Sequence, residues 1–150
     1  MPATSGSVLG ALKLVMTGDA TVGPLVPGGC WTNEAPTGHG VQYPLVVFRW
    51  PKTKYTWFTK DKDNRPNAIE DAQVQVWVEC LLAEQGEVAA RAIKSLLTDG
   101  AIPYASSTGS GALQVYPLDF FLHPECGRNE AGQKQYSWCL PLSIQINQTY

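Results

Sequence analysis

At 150 residues the chain is about the usual size of one domain, and it reads as a single α+β domain over 1–150. Hydrophobic residues make up 44% and charged residues only 16%, against roughly 25% charged in ordinary soluble domains. A core can therefore form without disulfide staples, and the surface keeps area free for protein contacts. The net charge of −2 gives no electrostatic ground for nucleic-acid binding, and no run nears the ~20 apolar residues that span a bilayer.

Val8, Leu9, Leu12, Val15 and Met16 recur at helical spacing, with Ser5 or Ser7 placed to cap the start and Gly18 the end. This predicts an amphipathic helix over about 6–17, weakened by Gly10 and dependent on packing. Residues 18–42 are rich in Gly and Pro and read as connecting chain, with room for a short strand at Cys30–Thr32. Tyr43–Trp50 is nearly all apolar and predicts a strand buried on both faces. Pro51 ends or bends it, Lys54–Thr59 is expected to pair back on it as a hairpin, and Lys60–Asp71 reads as a charged loop.

Ala72–Leu82 carries the clearest strand signal, with Val74, Val76 and Val78 on one side and Gln73, Gln75, Trp77 and Glu79 on the other. The period then changes from 2 to about 3.6. Val88, Ala89, Ala92, Ile93, Leu96 and Leu97 form the stripe of a second helix at about 84–98, which Asp99-Gly100 ends. Residues 99–112, rich in Ser and Gly, read as a flexible loop. Leu113–His123 predicts a strand with Pro117 inside it, Pro124–Gln133 a turn-rich loop, and Tyr136–Ile146 the last strand. The expected core where helix meets sheet is Val74, Val76, Val88, Ile93, Leu96, Leu142 and Ile144.

Pro44, Pro117 and Pro141 cannot donate to a ladder, so each needs an edge, a strand start or a bulge. That favours an open sheet over a closed barrel. The predicted architecture is two-layer α+β, a mainly antiparallel open sheet with two helices packed on one face. The other face still carries Trp77, and that face or an edge is left for a partner.

Residues able to do chemistry are few. His123 could pair with Asp119 or Glu125, and His39 stands between Gly38 and Gly40. His123 is read instead as a strand-end histidine at the surface, and neither histidine has a matched acid, base or nucleophile cluster. Cys126, Cys139 and His123 offer three zinc ligands in one region but lack the short-spaced pairs of a zinc site. With Cys30 and Cys80 they are expected to be free thiols, since no Cys-x-x-Cys pair occurs and Met1–Asp19 lacks the features of a secretion signal. The setting is read as intracellular.

Gly28-Gly29 and Gly38-His39-Gly40 are too short for a phosphate-binding fingerprint. Gly109-Ser110-Gly111 precedes a strand and so fits no nucleophile elbow. Lys52, Lys54, Lys60, Lys62 and Arg65 are balanced by Asp61, Asp63, Glu70 and Asp71. Asn147-Gln148-Thr149 has the glycosylation pattern, which carries no meaning without export. No catalytic, cofactor or metal site is assigned, and the chain is read as a non-enzyme.

The order of elements resembles a known family. A short helix ends in Gly18-Asp19-Ala20-Thr21-Val22, and a Gly/Pro-rich turn leads to Tyr43-Pro44-Leu45-Val46-Val47-Phe48. The valine-alternating strand Gln73–Val78 and the alanine-rich helix Glu87–Leu97 follow, then a strand, the polar insertion Pro124–Gln135 and Tyr136–Ile146. Over about residues 6–146 this resembles the tail terminator, or tail-completion, proteins of long-tailed bacteriophages. The resemblance implies a virion protein at the head–tail junction, assembled in the host cytoplasm into a hexameric ring. Such a ring ends the tail tube and joins the connector, with no cofactor and no catalysis. Its partners are other copies of itself, the tail tube protein and the connector protein. A connector, a stopper or a minor tail component is the alternative within the same junction, and a binding module that uses the free sheet face is another. The long polar segments Lys60–Asp71, Asp99–Ala112 and Pro124–Gln135 are expected to carry these contacts.

Overall fold

A strand with valines at every second position can bury one face only if a second layer covers it, and the periodicity switch after residue 80 supplies a helical one. The computed structural model describes residues 8–36, 40–60, 66–98, 101–106, 109–129 and 131–149. The helices are α1 (Val8–Gly18), α2 (Val22–Leu25) and α3 (Ala83–Thr98). The strands are β1 (Cys30–Thr32), β2 (Leu45–Lys60), β3 (Pro66–Cys80), β4 (Ala101–Ser106), β5 (Gly109–Pro117), β6 (Phe121–Leu122), β7 (Gly127–Arg128) and β8 (Lys134–Thr149). They pair in the order β1-β2-β3-β8-β5-β4, with β6 and β7 also on β8. Only β1 is parallel to its neighbour β2; the other pairs are antiparallel. The architecture is α+β, a mainly antiparallel sheet with its helices on one face, as the sequence pattern predicts.

The core lies between that face and the helices. Val8, Ala11, Leu12 and Met16 of α1 and Ala89, Ala90, Ile93 and Leu97 of α3 pack on Val46 and Phe48, on Val74, Val76 and Val78, and on Leu140, Leu142 and Ile144. Burial of each large aliphatic side chain contributes about 1.5–3 kcal/mol before entropy is counted.

The contact face of α3 differs from the expected stripe. Val88 is 52% exposed and Leu96 only half-buried, whereas Gly86 and Ala90 are buried. Small residues face the sheet because the sheet comes close: a Cβ on Gly86 would lie 2.4 Å from Cys80 Sγ and 2.6 Å from Trp138 Cδ1.

Two of the three expected loops are largely sheet, while Pro124–Gln133 is the turn-rich loop expected apart from the short strand Gly127–Arg128. Lys54–Thr59 does not fold back on Tyr43–Trp50 but continues it, past register shifts between Arg49 and Lys52 and between Thr53 and Tyr55. Its partner is the segment expected as a charged loop: Lys60 pairs with Pro66 and Thr56 with Glu70. Residues 61–65 of that segment lie outside the described residues. The Ser/Gly-rich stretch 99–112 forms β4 and the start of β5, with Ser106 opposite Gly109; residues 99, 100, 107 and 108 lie outside the described residues. Arg128 in the third segment pairs with Lys134, tightened by Gly132 at φ +78°. In each case backbone pairing outweighs side-chain propensity, which is weak for strands.

The prolines sit where the ladder permits them. Pro44 lies just ahead of β2. Pro117 makes the last β5 pair, with Leu142, so Leu113–His123 is two strands rather than one. Pro141 is inside β8, opposite Gln75 of β3, but its carbonyl accepts from Leu118 N at 2.9 Å. Its missing donor therefore faces the break between β5 and β6, where no ladder bond is lost. Among the described residues, no helix is long and apolar enough to cross a membrane.

Candidate functional site

On the sheet face away from the helices, strand register gathers three cross-strand rows. Leu45, Glu79, Ser137 and His123 form one, and Val47, Trp77, Cys139 and Phe121 the next. Arg49, Gln75 and Pro141 form the third. Trp77 is half-buried because the chain itself covers it. Phe121 meets it edge-on at 6.4 Å, His123 lies at 5.8 Å, and the Arg49 guanidinium stands 5.5 Å from the ring centroid. The face expected to be open at Trp77 is thus partly closed by Phe121–His123.

Among the described residues, Glu79 is the buried charged group of this face, 7% exposed. Ser137 Oγ and Gln135 Nε2 both donate to its Oε2, the second at 2.9 Å. Sequence reading missed this pairing, because a register of more than fifty residues' separation leaves no local signal. Register puts a carboxylate, a hydroxyl and an imidazole side by side, but the hydroxyl is bonded to the carboxylate and not to the imidazole. His123 Nδ1 faces the Glu125 backbone, 3.0 Å from its O and 3.2 Å from its N. With Ser137 and Gln135 of β8 both donating to Glu79 of β3, the arrangement acts as a polar clamp between the two strands.

The other residues singled out by sequence fall apart in space. Asp119 pairs with Lys94 at 3.0 Å rather than with His123, and His123 meets the Glu125 backbone. Cys126 is exposed and Cys139 buried, and all four cysteines are free. Among the described residues, no three His, Cys, Asp or Glu side chains group so as to hold a metal ion. Burial pushes the Cys30, Cys80 and Cys139 thiols up from an ordinary 9.0 to about 11. Gly28 and Gly29 serve chain packing: Gly28 N donates to Pro44 O at 3.1 Å, and a Cβ at Gly28 would lie 2.1 Å from Gln42 O. Gly109-Ser110-Gly111 opens β5, and Asn147-Gln148-Thr149 pairs with both β3 and β5. Lys52, Lys54, Lys60, Glu70 and Asp71 belong to the β2–β3 hairpin. His39, Lys62, Arg65, Asp61 and Asp63 lie outside the described residues.

Two surface features flank α3. On the side toward β2, Pro24, Leu25, Pro27, Tyr43, Pro44 and Val88, with Glu84 and Gln85 at the helix, line a mostly apolar cleft of about 410 Å³. On the other side, the crossover from β5 to β6 brings Phe120 against α3, while Tyr116 and Phe121 of the same crossover, opposite Ser143 and Cys139, lie on the sheet face away from the helices; Tyr116, Leu118, Phe121 and Leu122 are 39–55% exposed. Phe120 anchors this crossover. It meets Trp138 edge-on at 5.6 Å and sits under Arg91 and Lys94 at 5.2 and 5.9 Å.

This fold is similar to that of a chain in the virion of a native gene transfer agent (GTA) particle. The TM-score is 0.53 at 16% identity, covering 97% of this chain and 100% of the other. The sequence matches no family model and no curated protein.

The crossover was legible only in part. Leu113–His123 reads as one strand with Pro117 inside it, and Pro117 is the signal that could have divided it. Once divided, Tyr116, Leu118, Phe121 and Leu122 are exposed while Phe120 between them packs against the core.

Proposed function

We propose that this chain is a structural protein of a phage-type virion. In the finer reading it forms a ring at the head–tail junction that ends the tail tube and meets the connector. The observation that carries the proposal is the fold shared end to end with a chain of the GTA virion. Supporting it are the low charge of the sequence, the apolar cleft beside α3 and the exposed apolar residues between β5 and β6. The role is assembly rather than catalysis, and the partners are further copies of the chain and the virion proteins on either side of the ring. A ring requires a heterologous interface, one surface of each copy meeting a different surface of the next, closed by rotation.

The test is removal of the gene from the particle-producing genome, with electron microscopy of the products. A terminator predicts tails of irregular, excess length that are not joined to heads. Tails of normal length left unattached would assign a connector or stopper role instead, and normal infectious particles would end the virion reading.

A further inference from the structure

We infer that the outer edge of β2, from Thr53 to Lys60, takes an added β-strand from a different protein, an extended segment of net negative charge. The inference rests on the virion reading and adds the chemistry of one neighbour. Backbone alternation locates the edge. Leu118 N donates to Pro141 O, so odd-numbered residues of β8 turn their backbone groups toward β5 and even-numbered ones toward β3. Carried through the register, this turns the odd-numbered residues of β3 toward β2. On β2 it turns Tyr55, Trp57 and Thr59 inward and Thr53, Thr56, Phe58 and Lys60 outward. Two bonds agree: on the outward side Val46 N donates to Gly29 O, and Phe48 O accepts from Asn33 N. Among the described residues, β1 is the strand on that side, and it ends opposite Phe48. Beyond the bulges, Thr53–Lys60 presents outward N–H and C=O groups along roughly 25 Å of edge, with no proline in the run. Thr, Tyr, Trp and Phe make it strongly strand-forming, and such an edge is a template for another chain unless it is blocked or covered.

The far edge of the sheet is blocked. The same alternation turns Ala101, Pro103 and Ala105 of β4 outward, and Pro103 leaves the middle of that edge without a donor. This difference argues against a second copy as the occupant. Of the chain's other edges, β4 lacks its central donor, β1 has three residues and β6 and β7 two each. None matches the run from Thr53 to Lys60. Pairing β2 with β2 would oppose strands that each carry Arg49, Lys52, Lys54 and Lys60 and no acid, and like charges across a ladder repel. A strand from another protein, with carboxylates set against those lysines, meets both demands. Main-chain hydrogen bonds supply the affinity, and charge selects the partner.

Amide hydrogen exchange on the full-length protein in solution and in purified particles tests the edge. In solution Tyr55, Trp57 and Thr59 should exchange slowly and Thr56 and Phe58 fast; in particles Thr56 and Phe58 should slow by about tenfold or more. Thr56→p-benzoylphenylalanine, irradiated in particles, should cross-link to a net acidic segment of another virion protein. Thr56→Pro removes an outward donor and no ladder bond to β3, so its melt should match wild type while its incorporation into particles falls. Phe58→Pro repeats the test at the next outward position. Slow exchange at Thr56 and Phe58 in solution would mean that the chain covers its own edge and would overturn the inference. So would a cross-link to another copy or to a segment without net negative charge, or folded proline variants that enter particles as wild type does. A protein absent from purified particles would sink the virion reading itself. A protein present there with Thr56 and Phe58 still exchanging fast would sink only the inference.

Discussion

Replacing Gly86 by alanine separates local from tertiary control of helix α3. In a helix interior free of tertiary contact, Gly→Ala gains about 1 kcal/mol from backbone entropy. Here the new Cβ would lie 2.4 Å from Cys80 Sγ and 2.6 Å from Trp138 Cδ1, against ordinary carbon contacts of about 3.5–4 Å. Neither neighbour is free to yield. Cys80 is fully buried, with its Sγ 3.5 Å from Tyr136 O. Trp138 Nε1 donates to Ala83 O at 2.9 Å in the first turn of the same helix. Overpacking of this kind costs about 1–3 kcal/mol, and loss of the indole hydrogen bond adds about 0.5–1.5 kcal/mol. After the helix gain is subtracted, the net loss should be about 1–3 kcal/mol, read as a lowered urea midpoint and a melting temperature down by a few to ten degrees. Gly18→Ala is the control, because nothing lies within 4 Å of a Cβ there, and it should be neutral or mildly stabilising. Adding Cys80→Ala should make the Gly86→Ala loss smaller than in the wild-type background, a positive coupling expected of touching residues. If Gly86→Ala stabilised the protein as Gly18→Ala does, the close approach of α3 to β3 and β8 would be wrong.

Other outcomes follow from the same packing. Ile93→Ala should cost about 2–5 kcal/mol as a buried truncation, while Val88→Ala should stay within about 0.5 kcal/mol; equal losses in denaturant melts would return Val88 to the core. Glu79→Ala should cost about 1–3 kcal/mol, because it strips the Ser137 and Gln135 donors of their acceptor, and a neutral result would dissolve the clamp. In native protein a thiol reagent near pH 8 should modify Cys126 first, with Cys30, Cys80 and Cys139 reacting only on unfolding. Those three thiols also set a pH dependence. Their folded pKa of about 11 exceeds the ordinary 9.0, so the folded state holds protons that the unfolded state has released. Their contribution is intact below pH 9 and lost as pH rises to about 11; stability that climbs over that interval in a pH series of melts would contradict the assigned burial.

Sequence alone determined the elements that carry their own period. The valine alternation from residue 72 placed a strand, and the 3.6-residue repeat from residue 83 placed a helix, because both signals arise from nearest neighbours along the chain. The α+β class, and the need for each strand proline to sit at a break, came with them. What tertiary structure decided was pairing. The charged stretch from Pro66 and the Ser/Gly stretch from Ala101 are poor strands by composition, yet they become sheet because distant strands offer register-matched backbone partners, Thr149 for both Asn67 and Ser110. Tertiary structure also decided which flank of α3 is buried. Hydropathy points to the large residue Val88, but a helix pressed against Cys80 and Trp138 needs small ones, so Gly86, Ala89 and Ala90 face inward and Val88 is left on the rim of the cleft. The exposure between β5 and β6 was hidden for the same reason: Tyr116–Leu122 looks like core until the ladder, broken opposite Pro141, leaves Tyr116, Leu118, Phe121 and Leu122 exposed around the packed Phe120.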